Sequence, residues 1–159
     1  MSQLDLIVRG GRIIDGTGAA EFTGDIGVRG GKIVEISDAG PINSSAKREL
    51  SAEGAIVAPG FVDIHTHYDG QATWSNRMSP SSHHGVTSVV IGNCGVGFAP
   101  VRPTDHDLLI ELMEGVEDIP GVALNEGLSW DWESFPDYMD YLAKRQFDMD
   151  IGAQIPHAA

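Results

Sequence analysis

The sequence has one cysteine and few basic residues. A lone thiol, Cys94, excludes an internal disulfide framework and fits a reducing compartment, so a cytoplasmic location is expected. Lys and Arg number 10 against 23 Asp and Glu, a formal net charge of −13. That balance argues against partners such as nucleic acid or an anionic membrane. No apolar run is long enough to span a bilayer, and no basic-then-apolar signal is read at the N-terminus. What is present is globular: 42% of the 159 residues are hydrophobic, enough for one ordinary domain with a core. The acids concentrate between Asp105 and Asp150 among aromatics, the pattern of a solvated face.

Residues 1–58 read as β throughout. Leu4-Asp5-Leu6-Ile7-Val8-Arg9 and Arg12-Ile13-Ile14-Asp15 flank Gly10-Gly11, which predicts a two-residue hairpin turn. The pattern Val8-Arg9-Gly10-Gly11-Arg12-Ile13-Ile14 returns as Val28-Arg29-Gly30-Gly31-Lys32-Ile33-Val34, so two similar hairpins are expected in a small antiparallel β-sandwich segment. The polar stretch Gly40–Ser51 is expected to be a loop. Ala55–Ala58 is the last strand before Pro59-Gly60 changes the architecture.

Beyond that break, Pro59-Gly60-Phe61-Val62-Asp63-Ile64-His65-Thr66-His67 predicts a short buried strand, followed closely by Asp69. Residues i and i+2 of a strand share a face, so His65 and His67 project together and can clasp one metal ion. An isolated His-x-His is more often a pair of surface residues. The β-branched run Gly85–Cys94 reads as a second strand, covered on both faces as in parallel sheets. Between the two, Ser79 as N-cap, Pro80 at the first helical position and Gly85 at the end predict a short helix, completing a βαβ unit. A third strand is expected over Asp150–His157, broken by Pro156, with a helix before it over Phe135–Lys144 capped by Ser134. The long second crossover holds an insertion at about 98–132, with a helix from Asp105 to Glu114 and an irregular Pro/Gly/Trp loop.

Three successive strands therefore end in potential ligands: His65 and His67, then Cys94, then His157. In α/β barrels the reacting groups gather at those C-terminal ends. A lone cysteine is ordinarily a small buried hydrophobe. Here the glycines of Gly92-Asn93-Cys94-Gly95-Val96-Gly97 leave the thiol uncovered, which favours a ligand role. Their order does not match a dinucleotide-binding fingerprint. His157 stands equally well as a substrate contact or as a polar residue near the chain end.

These residues carry a resemblance. The N-terminal β segment, the stretch Pro59–His67 and the βα pattern resemble the amidohydrolase superfamily. Gly92-Asn93-Cys94-Gly95-Val96-Gly97-Phe98-Ala99-Pro100 and Leu112-Met113-Glu114-Gly115-Val116-Glu117-Asp118-Ile119-Pro120-Gly121 are similar to the N-acyl-D-amino-acid deacylases within it. The resemblance implies a zinc-dependent hydrolase, with one or two Zn2+ ions per site, that releases a D-amino acid and a carboxylate from a small N-acyl amino acid. It implies that His65 and His67 bind the more exposed metal. It further implies that Cys94 takes the place of the usual carboxylated lysine on the tighter zinc. His83-His84 matches no metal motif of the family, and both are expected on a helix surface.

The resulting fold class is α/β: a β-sandwich segment over 1–58, then over 59–159 the first two to three βα units of a metal-dependent (β/α)8 barrel. Such a barrel takes ~250 residues. It is therefore incomplete in this chain, and the family's further histidines and general-base aspartate are expected beyond Ala159. The chain by itself is expected to be inactive without the missing C-terminal part. Two other readings carry weight. One is a cyclic-amide hydrolase like dihydroorotase or hydantoinase, against which Cys94 argues. The other is a non-catalytic barrel paralogue with a structural or assembly role.

Overall fold

Gly10-Gly11 and Gly30-Gly31 are alike in sequence and differ in structure. In the computed structural model, which describes residues 3–158, β1 runs unbroken from Leu4 to Ile13 through the first pair. Its register against β2 (Phe22–Arg29) shifts between Val8 and Gly11, a bulge in place of the expected hairpin turn. The second pair does turn the chain. Gly30 and Gly31 have φ of 58° and 74° between Arg29 and Lys32, which face each other across β2 and β3 (Lys32–Ser37). Positive φ at both central residues is what a tight hairpin turn needs.

The difference lies in what flanks the glycines. Gly10 donates its N–H to the buried carboxylate of Asp25 at 2.9 Å, and Arg9 reaches the same side chain at 2.8 Å. Arg9 also grips Glu49 with two N–H groups, at 3.0 and 2.8 Å. Burial pushes the Asp25 carboxyl up. Arg9 and the N–H groups of Gly10 and Ile42 outweigh it and hold the group below the usual carboxylate range. The strand is pinned to its neighbour across the bulge, so it continues.

The rest of this sheet also departs from the antiparallel pattern. Residues 46–51, expected within a loop, form β4 (Ala46–Ser51), parallel to β1, as is the short β5 (Ile56–Val57). Among the described residues the segment is one five-stranded mixed sheet, ordered β3-β2-β1-β4 with β5 also on β1. β4 is polar and largely exposed, which is why its alternation is invisible in hydrophobicity. A small core of Leu4, Ile7 and Ile42 closes one face.

The chain divides into two compact units, Met1–Pro59 and Gly60–Ala159. The second holds β6 (Phe61–Asp63), β7 (Val86–Ile91) and β8 (Asp150–Ala153), all parallel and ordered β6-β7-β8. The first strand is shorter than expected and ends before the histidines. Between β6 and β7 lie α1 (Gln71–Trp74) and a single 3-10 turn, Ser81–His84, with Pro80 in the cap position and Gly85 left-handed at its end. The second crossover carries α2 (His106–Glu117), α3 (Gly121–Gly127) and α4 (Phe135–Ala143). α3 replaces part of the irregular loop expected there. Leu109, Ile110 and Met113 of α2, Leu124 of α3, and Tyr138 and Leu142 of α4 bury against Val89 and Ile91 of β7. Ser134 and Asp137 form a reciprocal capping box at the start of α4.

Two phenols hang α4 on the segment behind the histidines: Tyr138 Oη donates to the Asp69 carbonyl and Tyr141 Oη to that of Thr73, each at 2.9 Å. Coverage of the sheet is uneven. Val89 and Ile91 are buried, whereas Phe61 and Val62 of β6 are 69% and 63% exposed, so the two-faced burial expected of these strands is not met among the described residues. No helix among them is long and apolar enough to cross a membrane.

Candidate metal centre

His65 and His67 lie just past the end of β6, and alternation continues through them. Thr66 points inward, 8% exposed, and donates its backbone N–H (3.1 Å) and hydroxyl (2.8 Å) to the carbonyl of Val90. The neighbouring imidazoles are turned outward by that anchor, and the backbone N–H of His65 is held by Asp63 at 3.1 Å.

Cys94 follows β7 in a 3-10 turn, Asn93–Gly95. Gly92 precedes it with φ of 78°, and Cys94 itself is left-handed at 57°. A left-handed non-glycine residue costs about 1–2 kcal/mol. What it achieves here is placement: the exposed Cys94 Sγ comes 3.4 Å from Nε2 of His65 and 3.4 Å from Nε2 of His67. All three ligand atoms lie within 4.8 Å of one another. Tetrahedral zinc with Zn–S of ~2.3 Å and Zn–N of ~2.0–2.1 Å separates sulfur from nitrogen by about 3.6 Å. The donor set and its spacing thus suit a thiophilic divalent ion. Burial, and then the adjacent His65, lower the pKa of His67 and favour the neutral imidazole that a metal needs.

His157 is not one of the three. Its ring packs over Gly95, where a Cβ would collide with it, and Ala158 donates its N–H to the Gly95 carbonyl at 2.9 Å. The residue is exposed beside the turn that carries Cys94. His83 and His84 sit in the 3-10 turn, with His83 Nε2 3.5 Å from Ser79 Oγ.

Sequence reasoning missed the residues beneath the site. Asn93 is 6% exposed and reaches both preceding strand ends through Nδ2, to the carbonyls of Thr66 at 3.2 Å and Val90 at 2.8 Å. Its Oδ1 accepts from Gln154 Nε2 at 3.1 Å. Also unforeseen is a carboxyl pair, Asp69 buried and Glu117 half-buried. Asp69 is 2% exposed, and burial pushes it up to about 7 against the lowering N–H of Gly92. Glu117 is pushed to about 8, first by burial; the N–H of Gly70 pulls it down and Asp69 raises it further. Only the small residue that follows Asp69, Gly70, hinted at this close approach of α2.

The amidohydrolase family model matches residues 48–159. D-aminoacylase of Alcaligenes xylosoxydans xylosoxydans is 34% identical over 154 residues, 97% of this chain and 29% of the relative. A D-aminoacylase structure, described for its binuclear metal centre, superposes with a TM-score of 0.73 at 34% identity, covering 98% of this chain and 30% of that one. An N-acyl-D-glutamate deacylase from Bordetella bronchiseptica, solved with zinc and a phosphonate mimic of the tetrahedral intermediate, gives 0.71 at 32% identity, covering 99% and 30%. The chain therefore spans under a third of the length of these relatives. With the family model matched over residues 48–159 and a relative 34% identical over 97% of the chain's length, the chain belongs to the amidohydrolase family.

Proposed function

We propose that these residues supply part of the metal site of a zinc-dependent hydrolase that cleaves the amide bond of small N-acyl-D-amino acids. The observation that carries the reading is the position of Cys94 Sγ, 3.4 Å from both imidazole Nε2 atoms. A thiolate among two imidazoles selects zinc over magnesium or calcium, because soft sulfur suits a borderline ion and not a hard one. His65, His67 and Cys94 are its ligands in this reading. When bound, the metal supplies Lewis acidity toward the amide carbonyl and toward a water.

The chain's own residues do the rest of what can be assigned. Thr66 fixes the direction of both imidazoles, and lowering of the His67 pKa keeps that ring free of a competing proton. Hydrolysis also needs a general base to take the water's proton and return it to the leaving amine. No carboxylate joins the three ligand atoms among the described residues, so none of them is assigned that role. Residues 1–58 are read as a supporting β segment and 59–159 as the opening βα units of the barrel. His157, beside Gly95, remains a candidate substrate contact. The compartment inferred is the cytoplasm, where an exposed thiol stays reduced.

The reading rests on similarity to a D-aminoacylase and to an N-acyl-D-glutamate deacylase. A panel of matched N-acyl-D- and N-acyl-L-amino acids, with hydantoin and dihydroorotate, tests it on the zinc-loaded full-length protein. Release of D-amino acids alone is expected. Turnover of the cyclic amides, or of none of the panel, would replace this reading with one of the other two.

A further inference from the structure

Three donors converge on one carbonyl oxygen, that of Val90: the Thr66 N–H at 3.1 Å, the Thr66 hydroxyl at 2.8 Å and Asn93 Nδ2 at 2.8 Å. A carbonyl offers two lone pairs, so this is a saturated junction. The same Asn93 Nδ2 also donates to the Thr66 carbonyl at 3.2 Å. That carbonyl belongs to the peptide unit that leads directly into His67. On its other side Asn93 is bonded covalently to Cys94, and its Oδ1 takes the Gln154 amide from the end of β8. The orientation of the amide is fixed by chemistry. Both carbonyls only accept, so Nδ2 must face them.

We infer that Asn93 is a positioning residue of the metal site, setting the distance between Cys94 and the two histidines. The inference rests on the metal reading proposed above. One buried side chain, next to Cys94 in sequence, ties the Thr66 carbonyl beside His67 to the Val90 carbonyl near the end of β7. The surrounding backbone needs such a brace: Gly92, Cys94 and Gly95 are all left-handed, with φ of 78°, 57° and 75°, so the turn is not held by a regular ladder. A Cβ on Gly92 would also run into the backbone of Gln154, which keeps β8 close enough for its amide to reach Asn93. Asn93 touches no reacting atom in this account. It acts through the placement of Cys94 Sγ.

Asparagine is suited to the task and its near-isostere is not. Aspartate preserves shape, but it presents an acceptor to two carbonyls, and it meets the Gln154 amide with a charge. Truncation would take this donor from the Thr66 carbonyl in a buried place, while the Val90 carbonyl keeps its two donors from Thr66.

Cobalt titration of the metal-free full-length protein tests this without turnover. The readouts are Co2+ affinity and the thiolate-to-cobalt charge-transfer band per bound ion. For Asn93→Asp the expected result is a fall in affinity of about 10–100-fold, the range for partners that orient ligands, with a weakened band and retained far-UV circular dichroism. Gln154→Met, which removes one anchor of Asn93 and leaves its donors in place, is expected to shift both readouts in the same direction and by less. A folded Asn93→Asp protein with wild-type affinity and band overturns the inference. Should that variant not fold, wild-type behaviour in Gln154→Met overturns it instead. A wild-type protein with no thiolate band removes the metal reading itself, and this role with it.

Discussion

Cys94 Sγ lies 3.4 Å from Nε2 of His67, although 27 residues and a strand crossover separate the two in sequence. The contact is made by a left-handed backbone at Cys94 and by an inward-facing threonine beside His67. Together they bring the thiol and the imidazole to one point.

Removal of the thiol should remove the tight metal. Cys94→Ala in the full-length protein is expected to lower zinc affinity by more than the ~10–100-fold typical of indirect partners, because a direct ligand is lost. Metal analysis after dialysis should fall to background. Retained stoichiometric zinc would show that Cys94 is no ligand.

Gly92 has φ of 78°, and a side chain there would meet the Gln154 backbone, which cannot swing aside. Gly92→Ala should destabilise the unit by at least about 2 kcal/mol, the left-handed penalty plus a backbone clash. Thermal unfolding measures it, and an unchanged midpoint would contradict the geometry.

Glu117 and Asp69, with Tyr138 against them, make a pH-dependent element. Both carboxyls are raised in the fold, to about 8 and about 7, so the folded state holds protons that the unfolded chain releases near pH 4. Stability from this source is complete at acid pH and declines as pH rises through those values. Glu117→Gln, neutral at every pH and still able to accept from the Gly70 N–H, should flatten the decline. Above pH 8 it should unfold later than wild type by about 1–3 kcal/mol. Denaturation across pH 5–9 tests this. Parallel curves for the two proteins would mean that Glu117 is not buried as described.

Ser134 closes a reciprocal capping box with Asp137 at the head of α4. Ser134→Ala should cost about 1 kcal/mol. The urea midpoint should shift with no change of slope, and an unmoved midpoint would mean the cap contributes nothing.

Sequence and structure agree where chemistry announces itself locally. His65-Thr66-His67 and Cys94 were legible because ligand-type side chains recur at successive strand ends, and α4 because Ser134, Pro136 and an i, i+4 apolar pair mark it. The twin Gly-Gly pairs were not separable, since the difference depends on Asp25 and Arg9 reaching the first pair from afar. β4 escaped notice because a polar, exposed strand has no hydrophobic alternation. α3, seven residues with one buried leucine, is too short to show a period. Asn93 was legible only as part of a glycine-rich run; its bonds to Thr66, Val90 and Gln154 are tertiary.

Zinc K-edge X-ray absorption on the zinc-loaded full-length protein tests the central claim most directly. A thiolate–imidazole centre predicts a sulfur scatterer at ~2.3 Å alongside nitrogen at ~2.0–2.1 Å, with the sulfur signal lost in Cys94→Ala. A first shell of nitrogen and oxygen alone in the wild-type protein would contradict it.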